Sequence, residues 1–150
     1  MTSKVKLSQW DAFQLESLRA HGLTNEDIIA RIQSGDLPAD SSKFKFDYAD
    51  LRNFAEQAKA EFVSAVQDGY TIKYNTIYGI QNWLLVAFQV EAEVNIEPGQ
   101  EIVQASLTTE QYKKFAAVLS PGWKIEIDAA NEAADVSTYY IRPTGSSNEN

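Results

Sequence analysis

"GYTIKYNTIYGIQNWLL", residues 69–85, holds three tyrosines, a tryptophan and several β-branched residues in a chain that has one histidine and no cysteine. Its first part alternates in the manner of a strand, "YTIKY". Its second part has two readings. As a helix, Ile77, Ile80, Leu84 and Phe88 share one side, Asn75 or Thr76 caps the start, and an almost wholly apolar surface marks a buried helix. As a strand it makes a meander with "YTIKY". The helix is the preferred reading, because the apolar residues recur at three- and four-residue steps over more than ten residues. Most of the aromatic density is then interior rather than a ligand cage.

Working outward, "VEAEVNIEPGQEIVQASL" alternates cleanly. Val90, Ala92, Val94 and Ile96 fall on one face and Glu91, Glu93 and Asn95 on the other, "EPGQ" places Pro and Gly as a type II turn requires, and Val103, Ala105 and Leu107 resume the apolar face. This predicts a hairpin with one buried side. "EFVSAVQDGYTIKY" and "KFAAVLSPGWKIEI" align without a gap, 53 residues apart, pairing Gly69 with Gly122 and Tyr70 with Trp123. Each reads as a helix end, a glycine turn and a strand opened by an aromatic. Duplication and a shared answer to one junction problem both explain the echo.

Three helix starts share one device, a capping side chain with an acid or amide three residues on and an apolar residue at each end: Thr24 with Asp27, Asp47 with Asp50, Thr108 with Gln111. Ser8 with Asp11 has the cap alone. The first helix is expected to run to about Ala20 and stop at Gly22, the second to stop at Gly35. The third should be the longest, because Leu51, Phe54, Ala55, Ala58, Phe62, Ala65 and Val66 form one stripe from the Asp47 cap to Asp68. The fold expected is α+β: three N-terminal helices, then strand, helix, strand, strand, helix, strand, the βαββαβ order of a ferredoxin-like plait. An antiparallel β-meander packed on helices is the alternative. One domain is expected over 1–143, with a helical part at 8–68 and a mixed part at 69–143. Ser137 to Arg142 reads as an edge strand closed by Pro143, and 144–150 as a disordered polar tail.

A chain of 150 residues with 44% hydrophobic and 23% charged residues is long enough for a core without disulfides or metal. The lack of cysteine removes thiolate metal sites, redox motifs and cysteine nucleophiles, and fits a reducing compartment. With no signal-peptide pattern and no apolar run long enough for a span, the expected location is cytoplasmic. The net charge of −8 is uneven: residues 1–74 carry 11 acids and 9 bases, residues 75–150 carry 10 acids and 4 bases. No Lys or Arg lies between Tyr74 and Tyr112. That half has the wrong sign for a duplex, so direct nucleic-acid binding is not expected. A half helix-turn-helix in "LTNEDIIARIQSG" fails on the same ground, with Arg31 its only base.

Gly69-Tyr70, Ile72-Lys73-Tyr74, Thr76-Ile77, Gly79-Ile80, Asn82 and Leu84, then Leu107-Thr108 and Trp123, resemble small uncharacterised proteins encoded by phages and prophages of Gram-positive bacteria. The resemblance spans roughly residues 62–127 and leaves the N-terminal helices outside. It implies a bacterial cytoplasm during infection or lysogeny and an accessory, counter-defence or host-modulating role, and it carries no catalytic residues over.

No phosphate loop, dinucleotide fingerprint or HExxH motif is present, so no catalytic, cofactor or metal residue is assigned. His21 reads as a helix-end residue. The candidate partner surface is Glu91, Glu93, Glu97 and Glu101 on the hairpin with Tyr74 and Tyr78 at the sheet rim, facing a host or phage protein of basic character. Two rival readings are a small carboxylate-dependent hydrolase or transferase, and a homo-oligomer paired through the Ser137–Arg142 edge.

Overall fold

The structure is a computed structural model, which describes residues 4–40, 44–128 and 135–144. The predicted tail at 144–150 therefore lies, apart from Thr144, outside the described residues. The fold is α+β, with six helices and six strands in two sheets among the described residues. The chain forms two compact units, Met1–Lys73 and Tyr74–Asn150.

The first unit begins with a strand that the sequence reading did not foresee, β1 (Val5–Leu7), too short to show an alternation. α1 (Gln9–Ala20) follows, its Ser8 cap accepting from Asp11 N at 3.0 Å. α2 (Asn25–Ser34) starts on the predicted Thr24–Asp27 capping box and ends at Gly35. The expected long third helix is two helices, α3 (Ala49–Gln57) and α4 (Lys59–Asp68), which divide at Ala58 with φ −139° and ψ 60°. A straight helix of this length would run about 30 Å, the diameter of a small domain. The division keeps Leu51 and Ala55 on one side of it, and Phe62, Ala65 and Val66 on the other, all in the same core.

The start of α3 also departs from expectation. Asp47 accepts from Ala49 N, two residues on, and no side chain caps the helix locally. Tyr48 stands at the cap with φ 64°, and the Leu51 N–H is satisfied by Gln14 Oε1 from α1 at 3.1 Å. A buried glutamine from another helix thus replaces the local cap. Tyr48 is held there by its hydroxyl, 2.8 Å from Ser17 Oγ.

β2 (Tyr70–Ile72) corrects the plait. It pairs in parallel with β1, Val5 opposite Tyr70 and Leu7 opposite Ile72, and so belongs to the first unit. The reason lies in its side chains: Tyr70, Ile72 and Leu7 are buried, and the Tyr70 hydroxyl donates to Glu16 Oε2 at 2.7 Å. Arg19 donates to the same carboxylate oxygen at 3.2 Å and to Val66 O at 2.9 Å, tying α1 to the end of α4.

The second unit opens with α5 (Ile77–Phe88), the helix reading of the opening segment, capped by Thr76 on Gly79 N. Asn75 does not cap this helix; its buried Oδ1 accepts from Ser120 N at 2.8 Å. Trp83 is fully buried against Phe88 and Phe115. The hairpin is β3 (Glu93–Asn95) and β4 (Ile102–Thr108), joined by a turn in which Gly99 takes φ 81° and Gln100 N donates to Glu97 O. The strand predicted from Val90 is shorter than expected, and Ile96 is exposed. α6 (Thr109–Val118) begins on the predicted Thr108–Gln111 capping box. β5 (Trp123–Ile127) and β6 (Val136–Pro143) complete the sheet, in the order β3-β4-β6-β5.

The Ser137–Arg142 strand is thus central, not an edge. It runs antiparallel to both β4 and β5, so those two are parallel to each other with α6 between them in sequence. The slot that a plait gives to its first strand is taken by β6, whose Ser137, Tyr139 and Ile141 are buried on one face. Both halves of the echo enter their strand through a glycine with φ 97°, an angle that side chains rarely adopt, but only the first ends its helix there. α4 is capped by Gly69, whereas α6 stops at Val118 with an extended Leu119 at its cap, and Gly122 lies in the turn beyond.

Candidate functional site

The six residues named from sequence all belong to the second unit. Glu93 lies on β3 opposite Gln104, Glu91 just before it, Glu97 in the turn and Glu101 just after it. Glu91, Glu93 and Glu97 are exposed, and Glu101 is half-buried. Tyr74 is 74% exposed, before α5, and Tyr78 is 53% exposed in its first turn. The helix start is brought to the hairpin by Gln81, one turn on from Tyr78, whose Nε2 donates to Ala92 O at 3.0 Å. The helix that starts at these two exposed rings is thus tied at Gln81 to the residue between Glu91 and Glu93. Tyr70 and Trp83 show the opposite fate of the same aromatic-rich segment, both being interior.

Sequence reasoning missed a cleft in the first unit. Its volume is about 560 Å³, and Ser8, Trp10, Asp11, Asp50, Asn53 and Gln57 are among the residues that line it. Trp10 is 45% exposed, its ring set edge-on to Phe13 and Phe46. Burial raises the Asp11 carboxyl above its ordinary range. The Ser8 hydroxyl pulls it back, the Asp50 charge raises it further, and the Lys73 ammonium lowers it. Asp50 itself is exposed. Asp11 and Asp50 come from α1 and α3, some forty residues apart, and the only local hint was an acid beside an aromatic at a helix start. A second groove of about 770 Å³ borders α2, α3 and α4, and its Arg52 is engaged by Nε on Ile32 O at 3.1 Å.

His21 caps the end of α1 through its backbone N–H, and its Nε2 lies 3.9 Å from Asp40 Oδ1. Asp40 in turn accepts from Phe46 N at 2.8 Å, so this contact belongs to the chain leading into α3. Among the described residues no group of three His, Asp or Glu side chains is placed to hold a metal ion, and no helix is long and apolar enough to cross a membrane. Comparison with protein-family models, with curated proteins and with solved structures finds no match.

Proposed function

We propose that the protein is a non-enzymatic accessory protein that acts by binding another protein through the acidic surface of its second unit. The observation that carries this reading is the exposure of Tyr74, Tyr78, Glu91, Glu93 and Glu97 in one unit, on a segment without a single Lys or Arg from Tyr74 to Tyr112. Tyrosines with one wet end give contact area at low entropic cost, and a single-signed carboxylate stretch speeds the approach of a basic partner. The partner is a host or phage protein with a basic face. The resemblance to phage and prophage proteins supports a counter-defence or host-modulating role in a bacterial cytoplasm.

The test is purification of the tagged protein from a Gram-positive bacterium, with identification of what accompanies it in near-stoichiometric amount. Reversal of Glu91, Glu93 and Glu97 to lysine should abolish that association and leave the circular dichroism unchanged. A partner retained by the triple variant would sink the proposal.

The Asp11–Asp50 cleft favours a second reading, a small carboxylate-dependent hydrolase or transferase, because a carboxyl raised by burial beside an exposed one is the arrangement acid–base catalysis uses. Hydrolysis of a model substrate that is lost in both Asp11→Asn and Asp50→Asn would establish it.

A further inference from the structure

The two outer strands of the second unit's sheet are unlike. β3 spans three residues and carries Glu93, features that discourage addition of another strand. β5 spans five residues and contains no proline, and among the described residues no strand pairs with its outer side. Its outward groups follow from the register. Thr144 N donates to Gly122 O at 2.8 Å and Asp128 N to Thr138 O at 2.9 Å, so the even-numbered residues turn their peptide groups toward β6. Trp123, Ile125 and Ile127 therefore aim N–H and C=O away from the sheet.

The side chains of these three residues lie on the face shared with Tyr139 and Ile141. That face is closed at β6, where Ile141 is 0% exposed, but opens at β5, where Ile125 is half-buried and Ile127 is 44% exposed. The other face of β5 carries Lys124 and Glu126, one of each sign.

We propose that β5 is the pairing edge of a two-fold homodimer, in which β5 of one copy adds antiparallel to β5 of a second, centred on Ile125. In that register Ile125 faces Ile125, Trp123 of one copy faces Ile127 of the other, and Lys124 of one faces Glu126 of the other. The odd-numbered pairs exchange both N–H···O bonds, as their outward groups require. The Lys124–Glu126 pairs fall at the non-hydrogen-bonded positions, where Cα atoms approach to about 4.5 Å and side chains interact most closely.

No other two-fold register does both. A centre between residues sets odd positions against even ones and strands the hydrogen bonds. Moving the centre by one residue places Lys124 against Lys124 or Glu126 against Glu126. Within each chain Glu126 already has Lys124 Nζ at 3.6 Å and Arg142 Nε at 3.5 Å, so the second copy's lysine joins an existing charge cluster. The pairing is isologous and closed, and it merges two four-stranded sheets into one.

Sedimentation velocity over a range of concentrations tests this. The wild-type mass should rise from 16.8 kDa toward twice that value. Lys124→Glu sets carboxylates against carboxylates and Glu126→Lys sets lysines against lysines, so each alone should weaken association by about tenfold. An equimolar mixture of the two variants restores opposite charges across the junction and should dimerise as the wild type does. The double exchange Lys124→Glu with Glu126→Lys should do so by itself, which guards against a single variant that folds poorly. A wild type that stays at monomer mass at every concentration overturns the proposal, including one that binds an extended peptide along β5 instead. So does a dimer indifferent to both single variants, or a mixture that fails to associate.

Discussion

Tyr70→Phe isolates the contact that draws β2 into the first unit. The substitution keeps the ring, which is 1% exposed, and opens no cavity. It removes one hydroxyl, which donates to Glu16 Oε2 at 2.7 Å, and Glu16 is itself 1% exposed. Hydrogen bonds to charged groups contribute about 1.5–3 kcal/mol net. Arg19 remains on the same oxygen at 3.2 Å, so the expected loss lies near the middle of that range, about 2 kcal/mol. Truncation to alanine would add a cavity and cost about 3–5 kcal/mol, which separates the polar from the packing contribution. The assay is urea denaturation followed by circular dichroism, with hydrogen exchange of the α1 amides to assign the effect to the first unit. The midpoint should fall with an unchanged slope. A double-mutant cycle with Glu16→Gln should show the two changes to be non-additive. A loss below about 0.5 kcal/mol, within the range of an ordinary surface change, would refute the reasoning and mean that the Glu16 carboxylate does not hold β2.

Asn75→Ala strands the Ser120 N–H in a buried site, which should cost about 1–3 kcal/mol and accelerate exchange of the Ser120 amide. Thr108→Ala removes the acceptor for Gln111 N and should cost about 1 kcal/mol in a thermal melt, whereas Thr108→Ser should be close to neutral. Asp11 is a carboxyl whose folded-state pKa is raised, chiefly by burial, so the native state binds its proton more tightly than the unfolded chain does. Its contribution to stability is therefore present at low pH and declines as pH rises from the unfolded to the folded value. Asp11→Asn should abolish that decline, so that stability measured against pH gains on the wild type through the window and runs parallel above it.

What the sequence revealed depended on how far apart the deciding residues lie. Thr24 with Asp27, Thr108 with Gln111 and the glycine turns at Gly69 and Gly122 are decided within four residues, and each stands where the pattern put it, as does one of the two caps offered for α5, Thr76. The start of α3 depends on Gln14, far back in α1, and the local Asp47 signal could not register a competitor it never meets in sequence. The Asp11–Asp50 cleft was hidden for the same reason.

Distance also governs the echo. Two junctions alike in sequence, with the same glycine angle, deliver strands to different fates: β2 lies parallel to β1, and β5 lies antiparallel to β6. Alternation along a strand tells which side chains share a face, because that property repeats every two residues. It is silent on which backbone lies alongside, since every strand offers the same donors and acceptors. Apart from the unforeseen β1, the errors of the sheet prediction, β2 placed in the second unit and Ser137–Arg142 placed at an edge, are errors of neighbour and not of face. Burial is what decides neighbours. β6 carries three buried residues on one face and takes the slot with strands on both sides, whereas the half-covered β5 is left at the edge. The surface open to a second chain follows from that ranking, which is why the pairing edge moves from a strand whose residues are buried to one whose apolar face is not yet closed.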